Sequence, residues 1–111
     1  MAMLNVESKN LGAVSLLNLE GNFVVGETNG LRDVIQDLPV TRTVILDLSH
    51  VSLVDAHGLG VMLQLREQAQ TRHMRFELMN VSDPLREILQ ITRLDSVFQI
   101  RSGVQPFPVA A

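Results

Sequence analysis

The chain has no cysteine, no tryptophan and no tyrosine among its 111 residues. Without cysteine there is no disulfide, no thiolate nucleophile and no sulfur-rich metal site, and a reducing cytoplasm is the simplest compartment to expect. Aromatic residues make up 4% of the chain, so a partner surface has to rest on aliphatic, Met, Phe or Arg contacts rather than on the usual Trp and Tyr anchors. No stretch approaches the ~18 apolar residues of a membrane span. The opening MAMLNVESKN lacks the basic-then-apolar pattern of a secretion signal, and no direct membrane insertion is expected. A net charge of -3 gives no basic footprint for nucleic acid.

What is present is the material of one globular domain. At this length a single core is feasible. LNVE, from Leu4, alternates apolar and polar residues, Asn10-Leu11-Gly12 supplies turn chemistry, and AVSLLNLEG follows, so two antiparallel strands are expected. Leu31, Val34, Ile35 and Leu38 fall at i, i+3, i+4 and i+7, which predicts an amphipathic helix closed by Pro39. TVILDL, from Thr43, is nearly continuous and suits a central strand covered on both faces. A second helix is predicted from about His57 to Gln70, apolar nearly all round in its first half. RFELMNV reads as a strand, Asp83-Pro84 as a cap and first residue of a third helix, and VFQI as a last short strand. The order is β-β-α-β-α-β-α-β: a mixed sheet with helices packed against it, spanning residues 1–101, followed by a loose tail at 102–111.

The chemistry-bearing residues gather in DAHGLG, Asp55 to Gly60, between the central strand and the second helix. Gly58-Leu59-Gly60 lacks the spacing of a dinucleotide fingerprint and the lysine of a P-loop. No G-x-S-x-G elbow exists, and Ser49 and Ser52 read more simply as turn residues. Asp47, His50, Asp55 and His57 have the donor types of a metal site, but spacing alone is poor evidence, and no metal or other cofactor is expected. Asp55 reads most simply as a helix N-cap. An enzyme using His57 as base ranks lowest, because no nucleophile or cofactor motif accompanies it. Leu59 and Leu63 are either core or part of an apolar patch that a partner covers.

The stretch VILDLSHVSLVDAHGLGVMLQL resembles the core of STAS domains, the module of anti-sigma factor antagonists and of sulfate transporter tails. Asp55, Gly58, Leu59 and Gly60 match the Asp-Ser-Ser-Gly-Leu-Gly that opens a helix in that family. The early strand pair ending in Gly21, the NVSDPLREIL segment and LDSVFQI also look like their counterparts. The resemblance implies a STAS-type α/β fold, no catalytic activity, and a protein-binding surface at the start of the second helix. It also implies a partner of the anti-sigma factor type with serine-kinase activity, released when the first serine after the aspartate is phosphorylated. That position is Ala56 here, and the next is His57. The family's Gly-Glu-Leu-Asp after the second strand is replaced by Gly21-Asn22-Phe23-Val24.

The resulting expectation is a cytoplasmic, non-enzymatic domain that binds a regulatory protein through Val24, Asp55, Ala56, His57, Gly58, Leu59 and Leu63, without serine phosphorylation at position 56. The rival expectation is a STAS subunit of a lipid-transporting ABC complex or another assembly. The oligomeric state is left open.

Overall fold

The computed structural model describes residues 4–26, 28, 31 and 34–101. Strands β1 (Asn5–Leu11) and β2 (Val14–Phe23) pair antiparallel, from Asn5 opposite Glu20 to Leu11 opposite Val14. Gly12 and Ala13 make the turn between them. Gly12 has φ +74° and donates its N–H to Asn10 Oδ1 at 3.0 Å, a backbone conformation that glycine adopts without strain.

Strand β3 (Thr43–Val54) lies in the middle of a five-stranded sheet of order β1-β2-β3-β4-β5, as its continuous apolar run requires. It runs parallel to β2 and to β4 (Arg75–Met79), and β5 (Gln99–Arg101) runs parallel to β4. Parallel neighbours need crossovers that return the chain to the starting edge. Helices α1 (Ala56–Thr71) and α2 (Asp83–Ile91) supply two of them. The result is the mixed sheet with packed helices that the sequence pattern predicts.

One core holds the helices to the sheet. Leu17, Leu19, Val44, Leu46 and Leu78 of the strands meet Met62, Leu65 and Leu89 of the helices and Leu31 and Ile35 of the first crossover, all fully or almost fully buried. At its described residues that first crossover is wound more tightly than the predicted helix. Leu31, Val34 and Leu38 donate to the carbonyls of Thr28, Leu31 and Ile35, which are three-residue bonds of the 3-10 kind. The apolar stripe is buried as its spacing requires, because over so few residues it fits either winding.

Several boundaries differ from the sequence reading. β3 continues six residues beyond Leu48, so Ser49 and Ser52 are strand residues rather than turn residues. β2 runs beside that extension to the pair Phe23 and Val54, with irregular register between Asn18 and Glu20 and between Gly21 and Asn22. Such bulges break the period-2 signal that would mark a strand. The cap of α2 is Ser82, whose hydroxyl accepts from Leu85 N–H at 3.3 Å, so Asp83 is the first helical residue and Pro84 follows it. The last strand begins at Gln99, after a 3-10 turn at Leu94–Ser96 and the buried Phe98. The predicted tail, 102–111, lies outside the described residues.

Candidate functional site

The corner at the start of α1 is built by Asp55. Its backbone N–H donates to Phe23 O at 3.3 Å, which ties the end of β3 to the end of β2. Its carboxylate Oδ1 accepts from Gly58 N–H at 2.8 Å and Oδ2 accepts from Val25 N–H at 3.1 Å. One carboxylate therefore caps the helix and fixes the loop after β2, a tertiary role added to the cap expected from sequence.

The same two hydrogen bonds hold the Asp55 carboxyl below its ordinary value of 3.8. The Gly58 N–H contributes most and the Val25 N–H next; desolvation opposes them, and the nearby His57 adds a small lowering. Because the folded-state value is the lower one, this stabilisation is fully present above 3.8 and is lost as pH falls through the depressed value. Asp55→Asn keeps a capping side chain and removes the titration. The gap in melting temperature between the parent and Asp55→Asn should therefore shrink steadily as pH drops below 3.8; a gap independent of pH would contradict the carboxylate's role.

Gly58 is the point of closest approach between α1 and β2. A Cβ there would overlap the Phe23 carbonyl oxygen and come within 2.9 Å of the Phe23 carbonyl carbon and ring. The glycine is a packing requirement of the corner, and no anion-binding loop is needed to explain it. Leu59 lies inside the main core at 8% exposure, while Leu63 is half-buried against it. Ala56 and His57 are exposed, and Val24 is half-buried. His57 Nε2 and Thr28 Oγ1 are hydrogen-bonded at 3.2 Å, which ties the first turn of α1 to the crossover after β2.

The site residues therefore separate by depth. Asp55, Ala56, His57, Leu63 and Val24 form a surface, and Gly58 and Leu59 support it from beneath. Two exposed apolar residues at the same corner escaped the sequence reading: Val25, 66% exposed, and Leu53, 61% exposed. Val25 donates to Asp55, and Leu53 sits opposite Asn22 one residue before the end of β3. No periodicity marks either one, since the first follows a strand end and the second lies beyond the bulges.

Asp47, His50, Asp55 and His57 do not form one cluster. Asp47 and Asp55 are separated by eight residues of strand, roughly 25 Å of extended chain. Asp47 Oδ1 accepts from Ser49 N–H at 3.0 Å and Asn80 Nδ2 at 2.9 Å, and Ser49 Oγ is 3.1 Å from His50 Nδ1. Burial raises the Asp47 carboxyl, and the Asn80 and Ser49 hydrogen bonds with His50 outweigh it, leaving a lowered value. Among the described residues no three acidic or imidazole side chains gather closely enough to hold a metal ion. The depressions flanking the corner are small: about 220 Å³ between Thr28, His57 and Val61, and about 100 Å³ between Leu53, Pro84 and Ile88. Both fall below the roughly 300 Å³ at which small-molecule pockets begin.

A capped helix start and an exposed rim of small and apolar residues make up this corner of the α/β domain. The chain belongs to the STAS domain family, whose pattern matches residues 5–106. It is 29% identical over 85 residues to a STAS-domain containing protein of Pseudomonas aeruginosa (strain UCBPP-PA14), covering 76% of this chain and 84% of that one. An anti-sigma-factor antagonist (STAS) domain protein from Planctomyces limnophilus superposes with a TM-score of 0.75 at 17% identity, over 90% of this chain and 92% of that one. An anti-sigma factor antagonist from Mycobacterium paratuberculosis gives 0.73 at 19% identity, over 91% and 87%. A sulfate transporter family protein from Wolinella succinogenes gives 0.73 at 21% identity, over 82% and 80%. At these identities the structural likeness establishes the shared fold. No helix among the described residues is long and apolar enough to cross a membrane.

Proposed function

We propose that this protein is a non-enzymatic regulatory module, similar to anti-sigma factor antagonists, that binds a protein partner through the Asp55 to Leu63 corner without phosphorylation at position 56. The observation that carries this reading is Ala56: the first residue of α1 is exposed and carries no hydroxyl, on a corner that also exposes Val25 and Leu53. The partner chemistry that fits is a regulatory protein of the anti-sigma, serine-kinase-like type, presenting apolar side chains to Val24, Val25 and Leu53. Its binding is controlled by something other than a phosphate at this corner.

The charge argument supplies the test. A phosphate in place of the Ala56 methyl would set nearly two negative charges beside Asp55. Ala56→Asp imitates part of that charge. It is expected to weaken partner affinity by about tenfold, equivalent to about 1.4 kcal/mol, with the melting temperature nearly unchanged because position 56 is exposed. The partner is first recovered from the native cell with the tagged full chain, and affinities are then measured by calorimetry. Equal affinity for both proteins would move the interface elsewhere, and stoichiometric phosphate on any corner residue of the native protein would defeat the unphosphorylated reading.

The likeness to a sulfate transporter family protein favours a second reading: a STAS subunit of a transport assembly, such as a lipid-transporting ABC complex. Co-purification of an ATPase subunit in place of a kinase-like regulator would select it.

A further inference from the structure

Strand β1 forms one edge of the sheet: among the described residues it pairs with β2 and with no other strand. The two-residue turn at Gly12 and Ala13 decides which of its backbone groups point outward. A tight turn closes with a hydrogen bond between its flanking residues, here Leu11 and Val14, and hydrogen-bonded pairs then alternate along an antiparallel ladder. Asn5, Glu7, Lys9 and Leu11 therefore bond to β2, and Val6, Ser8 and Asn10 turn their N–H and C=O groups away from the sheet.

The usual devices that blunt an exposed edge are weak here. β1 is seven residues long, contains no proline and pairs with β2 without a bulge. Its one lysine, a residue type that guards edges, is offset by a carboxylate two positions away: Lys9 Nζ lies 3.8 Å from Glu7 Oε1, with the two side chains 55% and 72% exposed. Half-buried Val6 packs against the helix-side core. Val6, Ser8 and Asn10 thus share that face, and Asn5, Glu7, Lys9 and Leu11 share the other.

This pattern makes the strand complementary to its own reverse. When two copies of β1 run antiparallel with Ser8 opposite Ser8, the whole strand overlaps, because Ser8 is the midpoint of Asn5–Leu11. Glu7 of each copy then faces Lys9 of the other directly across the ladder, twice over by symmetry. The outward groups of Ser8 meet those of Ser8 and the outward groups of Val6 meet those of Asn10, so every outward N–H of one strand finds a carbonyl of the other. The two neighbouring registers that keep outward groups in line put Glu7 opposite Glu7 or Lys9 opposite Lys9, where like charges repel. We propose that this chain forms a two-fold dimer by antiparallel pairing of β1 with β1 of a second copy, centred on Ser8, which joins the two five-stranded sheets into one. No residue from Asp55 to Leu63 takes part in it. A single strand pair is a small interface, at the low end of the range for specific association, so dimerisation depends on concentration.

Sedimentation equilibrium and amide exchange on the full chain, from micromolar to millimolar concentration, test the proposal. The dimer fraction should rise over this range. Amide protection at Val6, Ser8 and Asn10 should rise with it, while protection at Glu7 and Lys9, already bonded to β2, should not. Lys9→Glu sets four carboxylates across the strand pair and should raise the dimer Kd by about tenfold or more; Glu7→Lys should do the same with four ammonium groups. Both positions are exposed, so melting temperatures should stay close to the parent's. Combining the two substitutions in one chain, or mixing the two single variants, restores opposite charges across the pair and should recover association. A chain that stays monomeric up to millimolar concentration would overturn the proposal. So would a dimer that survives Lys9→Glu, a double variant that fails to associate, or concentration-dependent protection confined to other elements.

Discussion

Gly58→Ala should lower the stability of the folded chain by about 3 kcal/mol or more, the upper range for forcing an extra methyl into closed packing. The added Cβ would overlap the carbonyl oxygen of Phe23 and stand 2.9 Å from its carbonyl carbon and ring. Neither can yield cheaply. The carbonyl is backbone and already accepts from Asp55 N–H, and the Phe23 ring is 0% exposed in the core. Lifting α1 away would relieve the overlap, but it would also stretch the bonds from Asp55 to Phe23 and Val25 that assemble the corner. Urea denaturation should therefore show a lower midpoint with an unchanged slope, and partner binding at the corner should fall with it. Gly60→Ala is the contrasting control. A Cβ there meets nothing within 4 Å, and alanine is a better helix former by about 0.8–1 kcal/mol, so that variant should be as stable as the parent or more so. Equal effects from both substitutions would show that helix propensity, and not the contact with Phe23, governs position 58.

Gly58 also marks where the sequence stops being readable. The stripe Gly58, Val61, Met62, Leu65 and Ala69 identifies the buried side of α1, and all of these are buried except the half-buried Val61. The apolar first turn was ambiguous because Leu59 and Leu63 lie one turn apart; only packing separates the buried Leu59 from the half-buried Leu63. TVILDL could be placed at the centre of the sheet because a strand covered on both faces needs apolar side chains without alternation. Its continuation through SHVSLV could not, since the bulges opposite Asn18 to Asn22 abolish the period on which strand recognition rests. The Ser82 cap was missed by one residue because Asp83 is an equally good capping type, and pairing with Leu85 N–H decides between them. The second half of the corner belongs to tertiary structure altogether. Val25 and Thr28 reach Asp55 and His57 across 30 and 29 positions of sequence, a separation that no local pattern encodes.

Arg101→Ala is the other substitution with a large expected cost, about 3 kcal/mol, the lower end of the range for leaving a buried ion without its partner. The Glu77 side chain is 8% exposed and makes two ion pairs, with Arg101 at 2.8 Å and with Arg75 at 3.5 Å. They are not equivalent. The Arg101 side chain is 29% exposed whereas that of Arg75 is 65% exposed, so solvent screens the second pair and its loss should cost less than about 1 kcal/mol. Adding salt sharpens the contrast, since the Arg75→Ala effect should fade while the Arg101→Ala effect persists. Three-residue β5 meets β4, its one strand neighbour among the described residues, through three residue pairs, which makes it sensitive to this anchor. Amide exchange at Ile100 and Arg101 should therefore accelerate in Arg101→Ala before exchange in β3 does. Replacing both members, Glu77→Met with Arg101→Met, removes the buried charge along with its partner and should recover most of the lost stability. If the double variant is no more stable than Arg101→Ala alone, the guanidinium contributes through packing of its stem, and the ion pair is not what holds the edge of the sheet.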